Sequence, residues 1–273
     1  RIGRLVAREL IKQAGKGQQL RLKGIVVRNI SNEQMIKRCD LFRNDSVHGA
    51  YKADIDLNLK EKCLTVNGQR IYFIEGKNHS EINYNKYGIN DALLIDNSGA
   101  FTDKDSLSNH LESTGISKVL LTAPGKGIPN IVYGINSKEL DIENSKIVSA
   151  ASCTTNCIAP ILHVIESEYG ISSGHLETVH SYTNDQNLID NMHKKARRGR
   201  SAAINMVITT TGAGKAVTKV IPSLEGKLTA NAVRVPTPNV SLAILKLKLK
   251  KKTSVNDINN TMKKAALKGS LVN

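Results

Sequence analysis

The chain of 273 residues has no tryptophan, three phenylalanines and seven tyrosines. So few aromatic side chains argue against a base-stacking platform for nucleic acid. Cysteine is also scarce. The four residues, Cys39, Cys63, Cys153 and Cys157, show neither paired metal-ligand spacing nor a dense disulfide framework. That usage fits a reducing, cytoplasmic setting. No apolar run is long enough to span a bilayer, and no signal-peptide pattern occurs. Acidic residues are short in number: 24 Asp and Glu face 39 Lys and Arg, a formal net charge of +15. Such a surplus suits a nucleic-acid partner or an enzyme that handles phosphorylated, anionic substrates.

What is present reads as two domains of ordinary size. The text starts at Arg1-Ile2-Gly3-Arg4, without Met, and passes at once into helix-like "LVARELIKQ". It stops at "KGSLVN" with no terminating element, so the expectation is a fragment lacking both ends. "LKGIVV" (Leu22 to Val27) is an apolar strand. Ser31 offers N-cap chemistry for a helix running to about Phe42. "CLTVNGQRIYFI" reads as a hairpin around Asn67-Gly68. "ALLID" (Ala92 to Asp96), "KVLLTAP" (Lys118 to Pro124) and "KIVSA" (Lys146 to Ala150) are further strands, and Asp103 caps a helix through Leu111. Buried strands alternating with helices predict a parallel sheet covered on both faces. After Ser152 the character changes to one long helix followed by the strand-like runs "HLETVH", "KLTANAVRV" and "VSLAILKLKL". The expected division is therefore 1–152 and 153–273, with a mixed or antiparallel sheet in the second part.

Chemistry concentrates in that second part. Cys153 lies in "SAASCTTNC", where a strand ends and the helix "TTNCIAPILHVIESEYG" begins. A helix N-terminus carries about half a positive elementary charge, which favours thiolate over thiol. Thr154, Thr155 and Asn156 add donors and a cap. His180 ends the strand "HLETVH" 27 residues later (180 − 153). A helix out and a strand back can bring a thiol and an imidazole together as nucleophile and base. The plainer reading of each residue alone is a small buried thiol and a capping histidine. Lys194, Lys195, Arg197, Arg198 and Arg200 crowd one aperiodic stretch, either a solvated loop or an anion site. "TTTGAGKAV" places hydroxyls and glycines at a helix start, as suits phosphate. Arg234 is expected after a strand and before two prolines, free to point at an anion.

Together "SAASCTTNCIAP", "TVHSYTNDQ", "RRGRSA", "TTTGAGKAV" and "RVPTPNVS" resemble the phosphorylating glyceraldehyde-3-phosphate dehydrogenase family, in order and at similar spacing. "RIGR", "DSVHG" and "TAPGKG" agree. The resemblance covers nearly the whole chain. It implies an α/β fold: a doubly wound Rossmann-type nucleotide-binding domain followed by an α+β catalytic domain. It implies oxidation of glyceraldehyde 3-phosphate to 1,3-bisphosphoglycerate with NAD or NADP, in a cytoplasmic homotetramer needing neither nucleic acid nor membrane. Cys153 would attack the aldehyde, with His180 as acid and base. Ser152, Thr154, Arg198, Thr211 and Gly212 would hold inorganic phosphate. Thr183, Asp185 and Arg234 would hold the substrate's own phosphate. Arg1, Ile2, Gly3, Ile30, Ser98, Gly99 and Thr122 would contact the coenzyme. Cys157 stays structural.

Departures from the family pattern shape two expectations. The glycine-rich pyrophosphate loop begins upstream of "RIGR" in the family, so the chain as written is expected to bind coenzyme poorly. After the strand "LKGIVV" a family carboxylate often reads the adenosine ribose. Here Arg28-Asn29-Ile30-Ser31 carries none, with Ile30 at the acidic position. Discrimination between NAD and NADP is therefore expected to be weak. The rival readings are an erythrose-4-phosphate dehydrogenase, a basic nucleic-acid- or surface-binding protein that keeps only the fold, and a cysteine hydrolase. The last would need neither a nucleotide-type first half nor two phosphate sites.

Overall fold

The computed structural model describes residues 1–14, 16, 20–138, 140–141 and 144–267. The chain divides into two compact units, Arg1–Leu121 and Thr122–Asn273. Sequence patterning had put the division at Ser152, 31 residues later (152 − 121).

The first unit opens with α1 (Ile2–Gln13), whose Ala7, Arg8 and Ile11 turn inward. Burying an arginine requires partners for its donors. Arg8 supplies Nε and Nη2 to the carbonyl of Phe42, at 3.0 and 2.6 Å, and Nη1 to that of Gly49 at 3.2 Å. Its guanidinium also lies over the rings of Phe42 and Tyr51. The "DSVHG" loop is tied to the same helix. The buried Asp45 carboxylate accepts from the amides of Val47 and His48, and pairs with Arg4 at 3.4 Å.

β1 (Gly24–Val27) leads into α2 (Asn32–Arg43), capped by Ser31 Oγ on the amide of Gln34. A short ribbon follows, β2 (Asn44–Asp45) and β3 (Gly49–Ala50). Then come β4 (Ile55–Asn58), β5 (Cys63–Val66) and β6 (Gln69–Glu75). Asn67 and Gly68 both have positive φ, 49° and 78°. That backbone turns β5 into β6 as the Asn-Gly pair predicts. The sheet order is β1-β6-β5-β4, with only β1 and β6 parallel. Further along are β7 (Ala92–Asp96), α3 (Lys104–Ser108) and β8 (Ile116–Leu121). β7 and β8 are parallel. The predicted single parallel sheet is thus realised among the described residues of this unit as two separately hydrogen-bonded pieces. They share apolar packing, since Val26, Ala92 and Leu94 meet one cluster around Ile74 and Ile89.

The second unit contains β9 (Ile147–Ser149), α4 (Cys153–Tyr169), β10 (Ile171–Ser181), β11 (Val207–Thr209), α5 (Ala213–Thr218), β12 (Leu228–Val235), β13 (Leu242–Leu249) and α6 (Val255–Leu267). Its four-stranded sheet runs β11-β12-β10-β13, parallel between β10 and β12 and antiparallel elsewhere. β13 alternates apolar residues by twos. Ala243, Leu245, Leu247 and Leu249 pack against the cluster that contains Ile158 and Leu162 of α4, Leu176 of β10 and Val217 of α5. Leu242 and Ile244 face the other way and are exposed, as is Ile208 of β11. The α+β character expected of this half is what the sheet shows.

Candidate active site

Cys153 is the first residue of α4, and the turn ahead of it is rigidly held. Ser149 Oγ donates to the carbonyl of Ala123 at 2.6 Å and accepts from the amide of Ala151 at 3.0 Å. Ala151 is buried in a left-handed backbone conformation, φ 56°, which is costly for a residue with a Cβ. Ser152 is the true N-cap: its Oγ accepts from the amide of Thr155 at 3.0 Å and lies 2.7 Å from Thr155 Oγ1. Thr154 is therefore inside the helix, not its cap. Asn156 reaches back with Nδ2 to the carbonyls of Ala150 and Ser152, at 2.8 and 2.9 Å. Three side chains thus fix where the α4 N-terminus delivers the thiol.

β10 delivers the imidazole. Cys153 Sγ and His180 Nε2 are 3.6 Å apart. His180 Nδ1 donates to the carbonyl of Ser181 at 2.7 Å, which leaves Nε2 to face sulfur. The His180 contact is the largest influence on the thiol and brings its pKa from an ordinary 9.0 down to about 7. The same contact raises that of His180. Cys153 is exposed, as a nucleophile must be.

The anion residues gather on the same side. Arg234 pairs in register with His180 across β12 and β10. It lies inside the strand and not beyond it, as the two following prolines had suggested. The parallel register projects the two side chains together. Arg234 Nη1 donates to the Ser181 carbonyl at 3.0 Å and to Thr183 Oγ1 at 2.9 Å. Its Nε is buried with no protein partner. Thr183 in turn donates to Asp185. Asp185 Oδ2 accepts from Arg198 Nη1 at 2.5 Å, and Arg198 Nε reaches Thr209 Oγ1 at 3.2 Å. Burial raises the Asp185 pKa, but hydrogen bonds from Thr183 and Arg198 outweigh it and hold the carboxyl below its ordinary value. Lys195 meets Thr210 at 3.3 Å. Thr211 Oγ1 accepts from the amide of Ala213 at 3.2 Å, and Gly212 leaves open space where a Cβ would stand. α5 is only six residues long, so its own contribution to an anion is small. Two arginines and one lysine therefore converge on hydroxyl-rich strand ends, with one carboxylate between the arginines.

Of the expected coenzyme residues of the first unit, Gly3 lies against the segment that leads into Ser98 and Gly99. α1 begins at Ile2, directly after Arg1. A Cβ on Gly3 would come within 3.4 Å of the Asn97 side chain, and Asn97 precedes Ser98 and Gly99. Gly99 has φ 73°. These features suit a pyrophosphate approached by backbone. Ile30 packs into the apolar cluster of Ile11, Met35 and Phe42, and Asn29 Oδ1 accepts from the amide of Ser31 at 2.7 Å. Thr122 stands partly buried at the start of the second unit.

Family descriptions match both halves of this arrangement. "Glyceraldehyde 3-phosphate dehydrogenase, NAD binding domain" matches residues 1–104, and "Glyceraldehyde 3-phosphate dehydrogenase, C-terminal domain" matches residues 152–272. The chain belongs to the glyceraldehyde-3-phosphate dehydrogenase family. Within that family it is 53% identical over 272 residues to a glyceraldehyde-3-phosphate dehydrogenase-like protein of Pseudomonas aeruginosa. The alignment covers 99% of this chain and 59% of that protein. It is 39% identical over 275 residues to a glyceraldehyde-3-phosphate dehydrogenase of Priestia megaterium, covering 99% and 78%. It is 42% identical over 227 residues to the chloroplastic glyceraldehyde-3-phosphate dehydrogenase A of maize, covering 83% and 55%. The chain thus spans less than two thirds of the Pseudomonas relative. Among the described residues, no helix is long and apolar enough to cross a membrane.

Sequence reasoning did not find Ser149, Ala151 or Ser181. A serine at a strand end carries no motif, and an alanine at positive φ leaves no trace in composition. Ser181 acts through its carbonyl, which every residue has.

Proposed function

We propose that this family member oxidises glyceraldehyde 3-phosphate to 1,3-bisphosphoglycerate with inorganic phosphate, reducing NAD or NADP, in the cytoplasm. The observation that carries the reading is the Cys153–His180 pair, 3.6 Å apart at the start of α4 with the thiol pKa near 7. A thiolate attacks the aldehyde carbon, forming a C–S bond and an alkoxide. His180 Nε2, beside the sulfur, would give that oxygen a proton and withdraw it as the carbon is oxidised. The coenzyme, when bound, accepts the hydride. The thioester left on Cys153 keeps the oxidation energy, and phosphate oxygen displaces sulfur. Residues 1–152 would serve the coenzyme and 153–273 the chemistry.

Two dianions must sit close together, and arginine forks with hydroxyl and amide donors oppose their charge. Arg234, Thr183 and Asp185 are assigned to the substrate's phosphate. Arg198, Ser152, Thr154, Thr211 and Gly212 are assigned to inorganic phosphate. The buried, unpartnered Nε of Arg234 supports its role, since an anion would satisfy it. In the first unit Arg1, Ile2, Gly3, Ser98 and Gly99 would hold the coenzyme, with Ile30 lining the ribose end; Thr122 is assigned to the coenzyme by the family resemblance alone. The exposed apolar residues of β11 and β13 favour a homo-oligomer, expected to be a tetramer.

The test is turnover of glyceraldehyde 3-phosphate, followed by coenzyme reduction with and without phosphate. Erythrose 4-phosphate serves as the competing substrate. Cys153→Ser should abolish the reaction, and His180→Asn should slow it by roughly 10²–10⁴-fold. Reduction that proceeds equally without phosphate, or undiminished in Cys153→Ser, would refute the assignment.

A further inference from the structure

The first unit buries an ionisable pair that takes no part in the proposed chemistry. Asp96 ends β7 and is 4% exposed; His110, in the 3₁₀ turn Asn109–Glu112, is 3% exposed. His110 Nε2 lies 3.1 Å from Asp96 Oδ2. A buried carboxylate without a donor would be costly, so Nε2 carries the proton. The other carboxylate oxygen, Oδ1, accepts from the amide of Ser98 at 2.7 Å. The imidazole is wedged edge-on between the rings of His79 and Phe101, 4.8 and 5.5 Å away by ring centres. Its Nδ1 is buried without a protein partner, so the ring is oriented by Asp96 and by packing alone.

This pair governs the turn after β7. Ser98 gives its amide to Asp96, and its own Oγ accepts from the amide of Ala100 at 3.1 Å. Gly99 follows at φ 73°. Asn97 holds the carbonyl of Ile95 at 3.0 Å and stands against Gly3 of α1. A carboxylate fixed from behind by His110 thus sets the path of the backbone that carries Ser98 and Gly99 past the start of α1.

We infer that Asp96 and His110 are positioning residues for the nicotinamide coenzyme, acting through the Ser98–Gly99 turn without touching the ligand. The inference rests on the coenzyme-binding reading above. His79, the other ionisable ring in the cluster, has its pKa lowered chiefly by burial and then by His110.

The experiment measures dissociation constants for NAD and NADP by titration, and amide hydrogen exchange of the Ser98–Ala100 segment without coenzyme. Asp96→Ala should weaken binding by about tenfold or more, the scale of one lost hydrogen bond to a charge, and should speed exchange at Ser98. Asp96→Asn can still accept from the Ser98 amide and donate towards His110, so it should stay within about threefold of the unaltered protein. His110→Gln keeps a donor for Asp96 and His110→Leu removes it, so Leu should bind coenzyme distinctly more weakly than Gln even where Asp96→Ala does not fold. Cys153 alkylation should keep its rate in all four variants. A folded Asp96→Ala with unaltered affinity and exchange, or equal binding by the Gln and Leu variants, overturns the inference alone. Where the unaltered protein binds neither coenzyme, exchange at Ser98 decides alone: a folded Asp96→Ala with unaltered exchange overturns the inference, and turnover of glyceraldehyde 3-phosphate tests the proposed function separately.

Discussion

The thiol of Cys153 titrates in competition with the imidazole beside it, and the sign of each shift fixes the pH window. The Cys153 pKa falls from 9.0 to about 7, first through the His180 contact. A depressed acid stabilises the fold fully above its unfolded pKa and loses that contribution as pH falls through about 7. The His180 pKa is raised from 6.5. Its contribution is complete below 6.5 and is lost as pH rises through the folded value. Alkylation of Cys153 by iodoacetamide should therefore rise with a midpoint near 7 and outpace that of Cys157, which is exposed on the same helix. In His180→Asn the midpoint should move up towards an ordinary thiol. Peptide mapping after brief exposure at several pH values measures both. Preferential labelling of Cys157, or an unmoved midpoint, would remove His180 from its role. At Arg234 the half-buried guanidinium bridges the Ser181 carbonyl and Thr183. Arg234→Leu should raise the Michaelis constant for the sugar phosphate by an amount worth about 2–5 kcal/mol, with little change for inorganic phosphate. Equal effects on both ligands would merge the two proposed anion sites into one.

The elements that deliver these residues were legible to different degrees. β7 was readable as a short continuous apolar run, the end of β10, β12 and β13 as strand-like stretches, and the Asn67-Gly68 turn because few other pairs accept two positive φ angles. Cys153 was placed at a helix start from its neighbours alone. Register was not readable. That His180 and Arg234 stand abreast depends on which residues of β10 and β12 pair, and no local pattern encodes it. Ser152 was expected to bind phosphate, yet its Oγ also accepts the Thr155 amide, so one hydroxyl is asked to cap and to bind. The tight turn between β9 and α4 was invisible because its strained residue is an alanine. Its left-handed backbone costs about 1–2 kcal/mol, held by the Ser149 hydroxyl. A β-branched residue tolerates that conformation far less well. Ala151→Val should lower the melting temperature by several degrees and slow Cys153 alkylation, whereas Ala151→Gly should remain within about 1 kcal/mol of the unaltered protein. Thermal unfolding with parallel alkylation measures both. An undisturbed Ala151→Val would mean that the turn does not set the nucleophile's position.

Over the whole molecule, net charge and exposed apolar surface pull in opposite directions. Each chain carries +15, which repels its copies. The uncovered face of the second unit's sheet presents Leu242, Ile244 and Ile208, at 59, 37 and 60% exposure. On β13 the same face continues into Lys246 and Lys248, both exposed. An apolar strip of this kind usually marks an interface. If copies associate through it, burial supplies the attraction and like charge opposes it. Added salt screens the repulsion, since the Debye length falls from about 10 Å at 0.1 M to about 3 Å at 1 M. Association should therefore strengthen with salt. The rival role as a basic nucleic-acid binder predicts the reverse, because binding to a polyanion weakens steeply as salt rises. Sedimentation velocity across a salt series separates the two. The unaltered chain should sediment as an oligomer of the 29.8 kDa subunit, more completely at high salt. Leu242→Lys combined with Ile244→Lys should yield a lighter species whose Cys153 alkylation rate is unchanged. A 29.8 kDa monomer at every salt concentration, or a double variant that associates as before, would mean that this face has some other partner.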